Sequence, residues 1–227
     1  METKKKYEFT EISIDFFGTK LFQIKALKSF GNVSVGELGG YIEKEENLSQ
    51  DSGNAWVYGN AWVYGNAQVY GNAWVYGDAW VCGNAQVYGN AWVSGNVRVS
   101  GDAQVYGNAR VYGNAWVYGN SRVSGNARVY GNARVCGNAQ VCGNAQVYGN
   151  AWVSAKASFT LGWFIGWDDT GKIKDITTEI GNTYWKNQYV LGDYKIEPIK
   201  EDKVEEVKTK KFVEVDGKKY QLIEVTE

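Results

Sequence analysis

The chain has 227 residues, long enough for one sizeable core or two small ones. Its 24 Lys and Arg against 25 Asp and Glu leave a formal charge of −1, which argues against a dedicated polyanion binder and against an acidic nucleic-acid mimic. The chain contains no histidine, which argues against the usual triad hydrolases, most zinc enzymes and acyltransferases that use an imidazole base.

The N-terminal stretch Met1-Glu2-Thr3-Lys4-Lys5-Lys6 is basic enough for a signal peptide, but Tyr7-Glu8-Phe9-Thr10-Glu11 stands where the apolar region should be. No stretch approaches the roughly 18 to 20 consecutive apolar residues of a membrane span. Three cysteines, an odd number, suit a reducing compartment, so the expected location is cytoplasmic. Residues 7–28 alternate through Phe9, Ile12, Ile14, Phe16 and then Leu21, Phe22, Ile24, with Gly18-Thr19 between, which predicts a small hairpin. Ile42 and Leu48, six apart, predict an irregular first coil that shields the lowest strand edges from other chains. Residues 1–52 are read as an N-terminal hairpin and cap.

From Gly53 to Ser154 the chain is one six-residue unit, Gly-Asn-Ala-x-Val-x, in 17 uninterrupted copies. Gly and Val are invariant; Asp78 and Asp102 replace Asn, and Val97 and Ser121 replace Ala. Residues 155–160 read as a worn eighteenth copy, which sets the repeat domain at 53–160. Ala-x-Val-x alternates inward and outward over a short strand, and β-branched Val suits a buried strand position. Gly-Asn is the corner, because these two residues reach left-handed backbone angles at least cost. The residue before Val shows how many corners close one coil. Every third copy from Gln68 gives Gln68, Gln86, Gln104, Arg122 and Gln140, a period of 18. Three strands per coil describe a triangular prism of about six coils, an all-β parallel β-helix.

Residues 161–227 form a C-terminal β-rich segment. Asp216-Gly217 between apolar runs predicts a terminal hairpin over 212–223, and the charged 199–211 reads as a linker or short helix. The carboxylates of Trp167-Asp168-Asp169-Thr170-Gly171 read as a turn rather than an acid–base pair. No catalytic residue, cofactor or metal site is expected.

Val57-Tyr58-Gly59-Asn60-Ala61-Trp62 has an aliphatic residue followed four places later by a small one, and so resembles the hexapeptide-repeat superfamily, whose β-helix is left-handed. That resemblance alone implies the left hand. A second one is carried by residues 24–33, by Gly36-Glu37-Leu38-Gly39-Gly40-Tyr41-Ile42-Glu43 and by Asn47-Leu48-Ser49 leading into the repeat. This order resembles uncharacterised hexapeptide-repeat proteins of phages and gut bacteria, often labelled polymer-forming cytoskeletal. It implies a β-helix with a dedicated N-terminal cap, a frequent phage origin and a bacterial host cell, but no reaction.

With Val inward, seven Trp and ten Tyr of the array are expected on the exterior, more apolar surface than a monomer ordinarily exposes. Three coverings are open. Copies of the chain could pack side by side, as hexapeptide β-helices commonly trimerise; the C-terminal segment could fold back; or aromatic planes and Arg could hold a nucleotide-like ligand. On one row Trp80, Arg98, Trp116, Arg134 and Trp152 alternate at successive rungs, the spacing for cation–π contact. Candidate binding residues are therefore Trp74, Trp80, Trp92 and Trp116 for stacking, with Arg98, Arg110, Arg128 and Arg134 for an anion. Cys82 and Cys136 lie three coils apart on one row, too far for a disulfide, and Cys142 lies on another. The expected function is a non-catalytic binding or scaffold protein that self-associates and engages a ligand or host protein. The phage resemblance suggests counter-defence by sequestering a nucleotide signal. A polymer-forming assembly protein and, behind it, a hexapeptide-repeat transferase are the alternatives.

Overall fold

The computed structural model describes residues 5–51, 53–154, 158–160, 163–166, 184–185, 194–198, 212–215 and 218–224. Each repeat places its x-Val pair in a short strand, and each strand pairs in parallel with those 18 residues before and after it. Trp92 sits opposite Trp74 and Arg110, and Val93 opposite Val75 and Val111. Three parallel sheets result, making a triangular prism of about six coils whose repeats stand roughly 29 Å tall at ~4.8 Å per rung. The first face stacks Trp56, Trp74, Trp92, Arg110, Arg128 and Gln146. The second stacks Trp62, Trp80, Arg98, Trp116, Arg134 and Trp152. The third stacks Gln68, Gln86, Gln104, Arg122 and Gln140.

The Val columns and the Ala columns fill the interior and are buried. Two inward methyl-bearing side chains per repeat, one large and one small, suit a narrow prism, where burial of apolar surface is the main stabilising term. Ser121 occupies an Ala position without leaving a polar orphan, since its one hydroxyl hydrogen is shared between the carbonyls of Tyr118 (2.9 Å) and Val135 (3.3 Å).

The corners explain why Gly never varies. At Gly89 φ is +69°, and an added Cβ would lie 2.9 Å from the backbone nitrogen of Gly107 on the next rung. The backbone angle and the closeness of the next rung each exclude a side chain. The neighbouring Asn forms a ladder of its own. Asn72, Asn90, Asn108 and Asn126 each donate through Nδ2 to the Oδ1 of the Asn 18 residues on, at 3.1 Å, ending at Asn144.

Strands β1 (Tyr7–Phe16) and β2 (Thr19–Ala26) form the hairpin expected from the alternation, with an irregularity between Phe9 and Ser13. Strand β3 (Leu38–Ile42) pairs antiparallel with β2 and parallel with Trp62–Val63, so the hairpin continues the second face. Ile42 lies against Val63 and Leu48 bridges to Val69, which makes the irregular first coil. The Tyr7 hydroxyl is shared between the carbonyls of Leu48 (2.7 Å) and Glu45 (3.0 Å) and pins hairpin to coil.

Parallel pairing runs past the last clear repeat. Trp163–Gly166 pairs with Gln146–Gly149, and Tyr184–Trp185 with Ser158–Phe159. A separate antiparallel sheet joins Tyr194–Pro198, Lys218–Glu224 and Phe212–Val215. Its last two strands bracket residues 216–217, the position of the expected Asp-Gly turn. The linker reading of 199–211 and the turn reading of Trp167–Gly171 lie outside the described residues.

Candidate functional site

The outward positions carry the chemistry, and the backbone register decides who meets whom. On the second face the alternation becomes contact. The Arg98 guanidinium lies 4.6 Å from the Trp80 ring centroid and 4.9 Å from that of Trp116, and Arg134 lies 5.1 Å from Trp116 and 6.0 Å from Trp152. Each Arg is held between two indoles, the arrangement that a ring quadrupole favours for a cation. On the first face Trp74 stacks on Trp92 at 6.2 Å, and Arg110 covers Trp92 at 5.0 Å. On the third, Tyr70, Tyr88 and Tyr106 stack at 4.8 and 4.9 Å with planes within 3°.

The candidate residues therefore divide between two faces. Trp74, Trp92, Arg110 and Arg128 share the first; Trp80, Arg98, Trp116 and Arg134 share the second. They differ in access. Trp92, Trp116 and Trp152 are 41%, 37% and 43% exposed. Trp80 lies between Trp62, stacked at 5.0 Å, and Arg98, with the Phe16 ring edge-on at 5.2 Å.

One expectation is corrected. Trp56 is not on the exterior but wholly buried. Tyr7 and Phe30 pack edge-to-face on it at 6.2 and 5.4 Å, and the Lys6 ammonium donates to the Ala55 carbonyl beside it at 3.0 Å. Among the described residues the Trp56 indole N–H has no hydrogen-bond partner. The cover on the lowest rungs thus comes from the N-terminal hairpin, a source that the repeat pattern does not mark. Phe16 alone meets Trp62, Tyr64 and Trp80.

A shallow depression of about 250 Å³ lies on the first face, lined by Tyr76, Trp92, Ser94, Arg110, Tyr112 and Arg128. Three of these were candidates from the sequence; Tyr76, Ser94 and Tyr112 were not. The signal was present as a Ser in a column that otherwise reads Tyr58, Tyr76, Tyr112, Tyr130 and Tyr148.

The array carries five Arg against two acidic residues, Asp78 and Asp102, both at corners. Among the described residues the salt bridge is Lys5 to Glu45, far from the five array Arg, none of which is paired with a carboxylate. The cysteines are free thiols. Burial pushes the Cys142 thiol up, away from the reactive thiolate, and Cys136 accepts a hydrogen bond from the Trp152 indole at 3.1 Å. Among the described residues, no helix is long and apolar enough to cross a membrane.

Residues 67–83, 85–101, 103–119, 121–137, 127–143 and 139–155 match the YdcK beta solenoid repeat. Each match spans almost one 18-residue coil, so the similarity runs over residues 67–155 of the prism and leaves its lowest repeats and both ends of the chain outside it. No curated protein matches the chain.

Proposed function

We propose that this β-solenoid is a non-catalytic binding scaffold that self-associates through its aromatic rows and engages a further ligand or host protein. The observation that carries the reading is the Trp80–Arg98–Trp116–Arg134–Trp152 ladder on the second face. Its side chains are ordered by stacking before any partner arrives, so little rotamer freedom remains to be lost on association. Trp116 and Trp152 still present more than a third of their surface, and large amphipathic rings of this kind anchor interfaces. A closed trimer is the expected form, by analogy with other hexapeptide β-helices.

An open-ended polymer is less well supported. At the lower end of the second face the parallel stack gives way to the antiparallel β2 and β1, which do not offer a parallel edge to a second prism. A transferase activity would need a base to stand in for the absent histidine. A counter-defence role draws its support from the phage resemblance, and the unpaired Arg rows suit the anionic signal such a role requires.

Native mass spectrometry tests the reading. The expected result is a mass three times 25.3 kDa, reduced by Trp116→Gln, a substitution drawn from the repeat's own alphabet and compatible with the fold. A wild-type monomer would refute self-association and leave the second face to a different protein.

A further inference from the structure

We infer that the Ser94 position on the first face is a binding slot for a planar aromatic anion, a ring bearing a nearby phosphate or carboxylate. This deepens the ligand part of the reading above and is independent of self-association.

The slot is a missing rung in an aromatic column. Above it, Tyr112, Tyr130 and Tyr148 stack at 4.8 and 5.0 Å with planes within 4°. Tyr112 is the lowest ring of that stack, and the next position down is Ser94, whose side chain is too small to meet it. The rung below Ser94 carries Tyr76. Two rungs separate Tyr76 from Tyr112, about 9.6 Å, which leaves room for one inserted ring at the ladder's own spacing. Trp92 closes the side at Ser94's own rung, with the Tyr76 ring standing across it at 6.4 Å and 78°. The resulting depression of about 250 Å³ suits a single base-sized group.

The other three serines of the outward columns make no such gap. Ser100 lies between Cys82 and Tyr118, and Ser124 between Tyr106 and Cys142, so each has a ring on one side only, while Ser154 has Cys136, not a ring, on the rung below. Ser94 is bracketed by rings above and below.

Charge gives the ligand its sign. Arg110 and Arg128 are direct neighbours on adjacent strands and both line the depression. Like charges so placed repel, and no carboxylate among the described residues relieves them. An anion reaching from the inserted ring toward both guanidiniums would. A ring without a charge would stack but leave this repulsion, and an anion without a ring would leave the slot open.

Adenosine 5′-monophosphate carries both features, adenosine only the ring, and ribose 5-phosphate only the anion. Each is titrated by calorimetry and by indole N–H NMR into the wild type, Ser94→Tyr and Arg128→Gln. Both substitutions place at these positions a residue that the same column already uses, Tyr at 76 and 112 and Gln at 146, so the prism is preserved. The expected result is saturable binding of the monophosphate at about millimolar affinity or tighter, weakened roughly tenfold or more by Ser94→Tyr, which fills the slot with the protein's own ring. Arg128→Gln is expected to weaken it about three- to tenfold, and adenosine to bind correspondingly less well. Monophosphate binding that Ser94→Tyr leaves unchanged, or no saturable binding by the wild type, would overturn the slot. Native mass, measured on the same samples, separates the two claims: a trimer that binds no monophosphate sinks the slot alone, and a monomer that binds it sinks self-association alone.

Discussion

The Arg98 guanidinium lies 4.6 Å over the Trp80 ring, one rung above it in the second face. The pair is joined by register rather than by sequence proximity, and Trp116 closes the other side of the same guanidinium at 4.9 Å. An exposed cation–π contact contributes about 0.5–1 kcal/mol. Arg98→Gln, which removes two of them, is therefore expected to destabilise the prism by about 1–2 kcal/mol in chemical denaturation. Arg98→Lys should lose less. A double-mutant cycle with Trp116→Gln should show coupling of at least about 0.5 kcal/mol; strict additivity would mean that the stacking contributes nothing.

The cap should have an unusual pH profile. Burial, with help from Lys28 and against Asp51, lowers the Lys6 ammonium from 10.5 to about 8. Below that value the folded state carries the full penalty of a buried charge. Between about 8 and 10.5 the folded state has lost the proton and the unfolded state keeps it, so stability rises with pH. Tyr7 acts in the opposite sense. Burial and the carboxylates of Glu45 and Glu46 push its hydroxyl up, so above 10.0 only the unfolded state ionises and stability falls. A maximum near pH 10 is expected, about 1–2 kcal/mol above the value at pH 8. Urea denaturation followed by Trp fluorescence at several pH values checks it, with Lys6→Met expected to flatten the rise. A flat wild-type profile between pH 8 and 10 would refute the assignment.

The two Asp at corners interrupt the amide ladders. Asp78 accepts from Asn60 at 3.1 Å but has no hydrogen to pass on to Asn96, where a new ladder starts through Asn114 to Asn132 and Asn150. Asp102 likewise accepts from Asn84 at 2.8 Å, and the column resumes with Asn120 donating to Asn138. Asp78→Asn supplies the missing donor. At this exposed site a gain of about 0.5 kcal/mol is expected, a rise in Tm of roughly 1–2 °C. The same change at Asp102 should add independently. An unchanged or lowered Tm in the double variant would show that the amide columns do not act as ladders.

Much of this was legible in the sequence because a strict repeat leaves few choices. Invariant Val and the 18-residue recurrence of Gln68, Gln86 and Gln104 determine which residues face inward and which share a face. The cation–π spacing of the second row followed from that register. The hairpin over Tyr7–Phe16 and Thr19–Ala26 was legible for another local reason, its alternation around a Gly-containing turn.

Covering was not legible. Trp56 has the same neighbours in sequence as Trp62, yet one is buried under Tyr7 and Phe30 and the other meets Phe16. Nothing periodic marks where a hairpin some 40 residues upstream will fold down on a repeat. The slot is illegible in the sequence for a related reason: Ser94 signifies little until Tyr76 and Tyr112 stand on either side of it with Trp92 and Arg110 beside them.

The sequence by itself determined the period, the three faces, the Val and Ala interior and the Gly-Asn corners, because each is imposed by a unit of six that returns to the same environment every 18 residues. Only the tertiary structure decided which indoles are covered by the cap, which are clasped by Arg and where an aromatic column lacks a ring. Those outcomes depend on side chains brought together across rungs and from the non-repeating N-terminus, where contact is set by three-dimensional approach and not by position in the repeat.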